Sequence, residues 1–214
     1  MSLDSASIDL THHFLIAMPG LEDALFGKSV VYLCEHSARG ALGLVINKPG
    51  EMRMPELFSK VELPLHRADL LEQPVLRGGP VHPERGFVLH EPIPTVPAES
   101  ASDNQELFPD APAGEPDSVY ASTLKIPGGL EMTTSRDVLE ALSTGAGPKR
   151  VLITLGYSAW GQGQLESELA ENSWLTVGAD PRIIFETPLE QRYDQALALL
   201  GLQPWMLSPG AGHA

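Results

Sequence analysis

Apolar residues in this chain fall largely in short unbroken runs, each bounded by turn residues. Phe14-Leu15-Ile16-Ala17 and Ser29-Val30-Val31-Tyr32-Leu33-Cys34 are rich in β-formers and too short for buried helices. Ala41 to Asn47 follows across a turn carrying Gly40, so the pattern predicts a strand and then a hairpin. Val75-Leu76-Arg77 stops at Gly78-Gly79-Pro80, and Gly86 to His90 resumes extended structure, which reads as a second strand pair around a tight turn. Leu21 to Phe26 and Met54 to Ser59 read as single helical turns.

Further along, Val119 to Ile126 and Leu130 to Thr133 read as strands. Thr134-Ser135-Arg136-Asp137 then opens a helix: a hydroxyl with a carboxylate three residues on can satisfy the first free backbone donors, and Gly145 supplies the stop. Val151 to Leu155 reads as a buried strand, Gln164 to Glu171 as a short helix, Trp174 to Val177 as a strand, and Leu189 to Leu200 as a helix ended by Gly201. Strands in hairpins with helices arriving singly, and no Gly-rich dinucleotide fingerprint, predict an α+β fold with a mixed or antiparallel sheet. Residues 1–203 read as one domain, with 204–214 a flexible tail.

Charge changes this picture in one place. The 214 residues carry 28 acidic against 14 basic side chains, a net charge of −14. Between Arg85 and Lys125 no basic residue occurs, while acids and six prolines accumulate, so residues 92–117 read as a mobile acidic insertion. Scattered cations and net negative charge disfavour direct nucleic-acid binding, which draws its affinity from Lys and Arg on phosphates. The N-terminus, with Asp4 and Asp9, has no signal-peptide character, and no apolar run reaches the ~18 residues of a membrane span. A lone Cys34 forms no internal disulfide; a soluble cytoplasmic protein without membrane attachment is the simplest expectation. No motif asks for a cofactor.

A set of ordered motifs is familiar: His13 to Pro19, Cys34-Glu35-His36, Gly43-Leu44-Val45-Ile46-Asn47-Lys48-Pro49, Arg77-Gly78-Gly79-Pro80-Val81, Arg85 to His90, Thr133 to Asp137, Leu155-Gly156-Tyr157, Trp160 and Gly163-Gln164-Leu165-Glu166. Together these resemble the YqgE/AlgH family of bacterial proteins over roughly two thirds of the chain. The resemblance implies a curved, barrel-like sheet and a family labelled as transcriptional regulators, without an established reaction or catalytic residues. This chain departs from the usual family pattern at the acidic insertion and at Ser158-Ala159, where the family usually reads Ala-Gly.

Several constellations could carry chemistry. Gly156 to Trp160 invites comparison with a hydrolase nucleophile elbow, but Trp160 stands where the elbow needs Gly, and the only later His is His213. The segment reads instead as a tight strand-to-helix connection. Gly161-Gln162-Gly163 before a helix at Gln164 could aim backbone N–H groups at an anion, the alternative being that Glu166 and Glu168 satisfy the helix start. Cys34 and His36, two apart on a strand, should face the same way, which would favour a reactive thiolate; an inert buried Cys is the plainer reading. With His12 and His13 they match no zinc signature, so no metal is expected. Arg77, His82, Arg85 and His90 gather cationic groups around a turn, unless Arg77 and Arg85 pair with Glu84 and Glu91.

The expectation is therefore a regulatory or accessory protein acting through a small anionic ligand or a protein partner. Glu35, His36, Asn47, Arg77, His82, Arg85, Tyr157, Trp160 and Gln164 are its candidate binding residues. Of these, Glu35, His36, Arg77, Tyr157 and Trp160 would line one concave surface. The alternative is an enzyme or redox protein using Cys34 and His36, or the turn with Arg77, His82 and Arg85. Oligomeric state is left open.

Overall fold

The computed structural model describes residues 9–93 and 119–207; most of the 92–117 insertion and the end of the 204–214 tail lie outside the described residues. Its centre is one strand, β9 (Val151–Trp160), whose two edges are shared among three partners. Along one edge runs β6 (Val81–His90), antiparallel. Along the other, β5 (Pro74–Arg77) pairs in parallel with Thr154 and Leu155, and β3 (Gly40–Val45) pairs antiparallel with Ser158 to Trp160. β3 and β5 thus occupy the same edge end to end.

The rest of the ten-stranded sheet grows from these partners. From β3 it continues through β2 (Val30–Ser37), β1 (His13–Ala17) and β10 (Trp174–Gly178). From β6 it continues through β8 (Leu130–Thr133) to β7 (Thr123–Ile126), and β4 (Pro49–Arg53) lies on β5. Gly78 closes the gap between the two arms: its N–H donates to the Leu155 carbonyl, and its own carbonyl accepts from Val45 N–H and from the Ser158 hydroxyl. A side chain is impossible there, because a Cβ would stand 2.2 Å from the Gly156 carbonyl oxygen. The result is an α+β fold, as the patterning predicted, with the sheet curled as the family resemblance implied.

Three expectations are corrected, two of them by β9. The strands flanking Gly78-Gly79-Pro80 are not a hairpin; β5 and β6 take opposite edges of the same neighbour. Gly156 to Trp160 is not a connection but the second half of the strand, which passes through a left-handed residue at Gly156 (φ +71°). And Leu21 to Phe26 forms no helix: Asp23 Oδ1 accepts from the N–H groups of Leu25 and Phe26, an Asx-type turn.

Helices cover both faces, and this explains the unbroken apolar runs. Phe14 and Ile16 enter a cluster with Tyr32, Leu44, Leu152 and the helices α4 (Pro181–Phe185) and α5 (Arg192–Ala198). Leu15 and Ala17 point to a second cluster with Val31, Trp160, Trp174 and α3 (Gln164–Ala170). A third, around Val88 and Ile153, is closed by α1 (Met54–Lys60) and α2 (Arg136–Thr144). The N-cap of α2 is Ser135 rather than Thr134; Asp137 accepts from Ala121 and Val138 N–H, and Gly145 ends the helix in the left-handed region. Beyond Pro204 the chain makes a 3-10 turn through Leu207, which packs on the first cluster. No helix among the described residues is long and apolar enough to cross a membrane.

Gly156→Ala is expected to be costly twice over, since the new Cβ would meet the Gly79 carbonyl oxygen at 2.5 Å and the residue would be held at a positive φ. A loss of roughly 2 kcal/mol or more is expected, seen as a fall in Tm of about 4 °C or more by circular dichroism; an unchanged Tm contradicts this account of the junction.

Candidate functional site

The largest cavity described, about 750 Å³, opens beside the junction of the two arms. Arg77 ends β5 there, Glu51 and Met52 come from β4, and the Asp23–Phe26 turn forms the opposite wall. Arg77 is exposed, and its guanidinium has no ion-pair or hydrogen-bond partner among the described residues. The acids expected to pair with it are engaged elsewhere: Glu84 with His82 at 3.3 Å, and Glu91 with Arg150, which also holds Glu186 at 2.7 Å. Of the two acids in the cleft, Asp23 is occupied in its turn, and those backbone hydrogen bonds hold its carboxyl below the usual range. Glu51 is exposed. The cleft offers one free guanidinium, one free carboxylate and apolar walls from Phe26, Met52 and Leu155.

The five residues assigned to one concave surface are distributed over separate places. Glu35 and Trp160 border a shallow depression of about 190 Å³ with Arg39 and Gly40; Arg77 is not part of it. Tyr157 stacks on His82, ring centroids 6.1 Å apart, and meets Phe87 at 5.2 Å. His36 is buried: its Nδ1 accepts from Leu10 N–H, and its Nε2 lies 3.0 Å from Glu166 of α3. Arg85 lies over the Phe87 ring at 5.9 Å, and His90 is fully buried against Thr133 and the Glu91 carbonyl. The cationic turn is therefore not one cluster. Asn47 ties the segment before β2, accepting from Val30 N–H and donating to the Lys28 carbonyl.

Cys34 and His36 do not face each other. A β-bulge shifts the β2–β3 register between Leu33 and Glu35, which inverts the alternation that a regular strand would keep. Cys34 joins the cluster under α5, whereas His36 reaches the α3 side. Cys34 is sealed in the core, and burial pushes its thiol far above the ordinary range, so this thiolate is not available for redox or nucleophilic work. His12 is engaged with the Tyr32 hydroxyl at 2.9 Å, and no group of three or more metal-ligating side chains occurs among the described residues.

The loop before α3 is tied down by the helix's own first residue. Gly161 N–H is taken by the side chain of Gln164 at 3.0 Å, not by Glu166 or Glu168. Glu168 instead accepts from two indoles, Trp160 at 2.9 Å and Trp174 at 2.7 Å, on one oxygen. The hydroxyl at Ser158 is buried and donates to Gly78, so it serves the junction rather than catalysis. Asp23 and Glu51 were not among the sequence candidates. An Asp two and three residues before the amides it binds is a legible turn signal, but nothing local reveals that this turn lines a cleft with β4.

With the geometry described, comparison with known proteins adds the lineage. The family model described as AlgH-like matches residues 14–205. The UPF0301 proteins of Paracidovorax citrulli (strain AAC00-1) and Polaromonas sp. (strain JS666 / ATCC BAA-500) are each 67% identical over 214 residues, covering 100% of this chain and of theirs. The solution structure of the AlgH protein from Pseudomonas aeruginosa is similar at TM-score 0.68 and 42% identity, covering 100% of both chains. The crystal structure of DIP2367 from Corynebacterium diphtheriae, 16% identical over 88% of this chain and 85% of that one, shares the fold at TM-score 0.61.

The sealed environment of Cys34 has a direct chemical test. Native protein is expected to react with a chromogenic disulfide reagent at least about a hundredfold more slowly than protein unfolded in guanidinium; equal rates contradict its burial.

Proposed function

The chain belongs to the AlgH-like family, and we propose that it serves as an accessory or regulatory protein acting through a small anionic ligand held at the Arg77 cleft. One observation carries this reading: the Arg77 guanidinium stands at the wall of the largest described cavity with no protein partner among the described residues. An arginine presents five N–H donors in a planar fork suited to carboxylate or phosphate, and an unpaired one at a concave surface is ready to bind. Glu51, on the neighbouring strand β4 in the same cleft, limits the ligand's charge. It favours a molecule with one anionic group and hydrogen-bond donors or an ammonium at its other end. The same carboxylate, with the net charge of −14, opposes the phosphate backbone of nucleic acid. The regulatory role follows the family resemblance; the ligand class follows the cleft.

Inorganic phosphate, β-alanine and glutamine, tried separately at millimolar concentration, test the reading through ligand-linked stability. At least one is expected to raise the Tm of the wild-type chain, and Arg77→Ala, folded by circular dichroism, is expected to lose that rise. A rise that survives in Arg77→Ala, or no response to any of the three, contradicts the proposal. Gel shifts at about 100 mM salt, where the phosphate term still operates, are expected to show no specific operator complex; tight binding with a steep salt slope would overturn the exclusion of DNA.

A further inference from the structure

A second cation is placed where folding alone gives little reason for one. Arg192 opens α5 in a position that is 7% exposed, yet no carboxylate lies within ion-pair distance among the described residues. Its Nε donates to the Thr187 carbonyl at 2.9 Å and its Nη1 to the Ile46 carbonyl at 2.5 Å. Of the five N–H groups of a guanidinium, that leaves one on Nη1 and both on Nη2. Burial draws the group down to about 10, still well above neutral pH, so it is charged under ordinary conditions. Among the described residues, the polar side-chain atoms that are both sealed from solvent and without a partner are Ser29 Oγ and Tyr120 OH. Nη2 of Arg192 is not one of them, so it keeps contact with solvent.

Arg192 also borders a cavity of its own. Arg192 lines a space of about 200 Å³ between the β5–β9 pair and the segment from α4 to α5. Leu76, Leu152, Ile184 and Leu189 also line it, with Thr187 and Gln73 supplying neutral polar groups. The one acid on its wall, Glu186, is held by Arg150 and is largely exposed. This place shares only Leu76 with the Arg77 cleft.

We propose that this cavity is a binding site for a short aliphatic monocarboxylate, its carboxylate on the free edge of Arg192 and its hydrocarbon body against the leucines and isoleucine. The leucines and isoleucine favour a hydrocarbon body over a fully hydrated phosphate, and the buried, uncompensated cation supplies the counter-charge that a carboxylate needs on leaving water. Size sets the length: at the ~30 Å³ that a water molecule occupies, 200 Å³ accommodates about six or seven heavy atoms, which corresponds to butanoate or pentanoate. A hydrophobic slot around a single placed charge is the usual construction of a small-molecule site.

The test uses the full chain carrying Arg77→Ala, which removes the cation of the other cleft, and straight-chain carboxylates from acetate to octanoate, with butanol and inorganic phosphate as controls. Stabilisation is expected to rise from acetate to a maximum near butanoate or pentanoate, reaching about 3 °C in Tm, and to fall for octanoate; the two controls are expected to give none. In Arg192→Gln, which keeps one donor for the carbonyls, the butanoate affinity is expected to fall at least about tenfold. Should that variant fail to fold, amide and guanidinium NMR of the wild-type chain decides: butanoate should perturb Thr187, Leu189 and the Arg192 Nε–H. Perturbations confined to Arg77 and its neighbours overturn this inference while leaving the Arg77 reading intact. A flat response across the series, or one that phosphate matches, also overturns it.

Discussion

Everything in this molecule depends on β9 being paired along both edges with three different strands. β6 accompanies it for most of its length, while β5 and β3 divide the other edge between them, one parallel and one antiparallel. Such a division leaves backbone groups without a ladder partner at the point of change, and burying them unpaired would cost on the order of 1–3 kcal/mol each. Gly78 answers this by donating to Leu155 and accepting from Val45 and Ser158. The two arms of the sheet then diverge, and Arg77, immediately before Gly78, is left at the edge of the gap.

Acidity in this chain serves the interior as well as the surface. Glu166 meets a buried imidazole, Glu168 two indoles, and Asp137 the amides of Ala121 and Val138. These carboxylates accept from donors that are neutral or only conditionally charged, so they fasten α3 and α2 to the sheet without using up cations. Other acids do pair with arginines, Asp69 with Arg67, Glu140 with Arg136 and Asp180 with Arg182, and the remaining arginines take different roles. Arg150 spans Glu91 and Glu186, Arg77 faces a cleft, and Arg192 is buried among carbonyls. A carbonyl-only environment lowers the cost of a buried charge less than a carboxylate would, and here the residual cost is on the order of 3 kcal/mol. That is a large term for a fold to retain without a use for it.

Local pattern made most elements legible. The runs at Phe14, Val30, Ala41 and Val151 are strands because branched and aromatic residues crowd them, and Gly145 stops a helix as a residue free of a Cβ should. What escaped was whatever depends on a distant partner. Gly156 looked like the end of a strand because its left-handed turn is local, whereas the reason the strand continues, pairing with β3 more than a hundred residues earlier, is not. Cys34 and His36 have the spacing of one face, and only the mismatch with Gly43 and Leu42 on β3 reveals the bulge that separates them. The edge strand β4, with Pro49 and Gly50, and the five-residue α4 carry too little patterning of their own. Arg77 was visible because it ends an apolar run at a Gly-Gly-Pro turn. Arg192 was not, since a charged residue at a helix start reads as solvent-facing, and its burial is created by Ile46 and Thr187 across the fold.

The shared oxygen of Glu168 gives the protein an optical property. Trp160 and Trp174 lie edge to face with ring centroids 6.1 Å apart, both nearly buried and both donating to that one carboxylate, whereas Trp205 is 73% exposed. Native emission therefore combines a short-wavelength contribution from a coupled, water-free pair with a long-wavelength contribution from a single hydrated indole. Lifting α3 from the sheet withdraws the acceptor from both members of the pair at once and admits water to them, while the third indole is unaffected. A shift of the emission to longer wavelength therefore accompanies the lifting of that one helix even while the sheet beneath it stays folded.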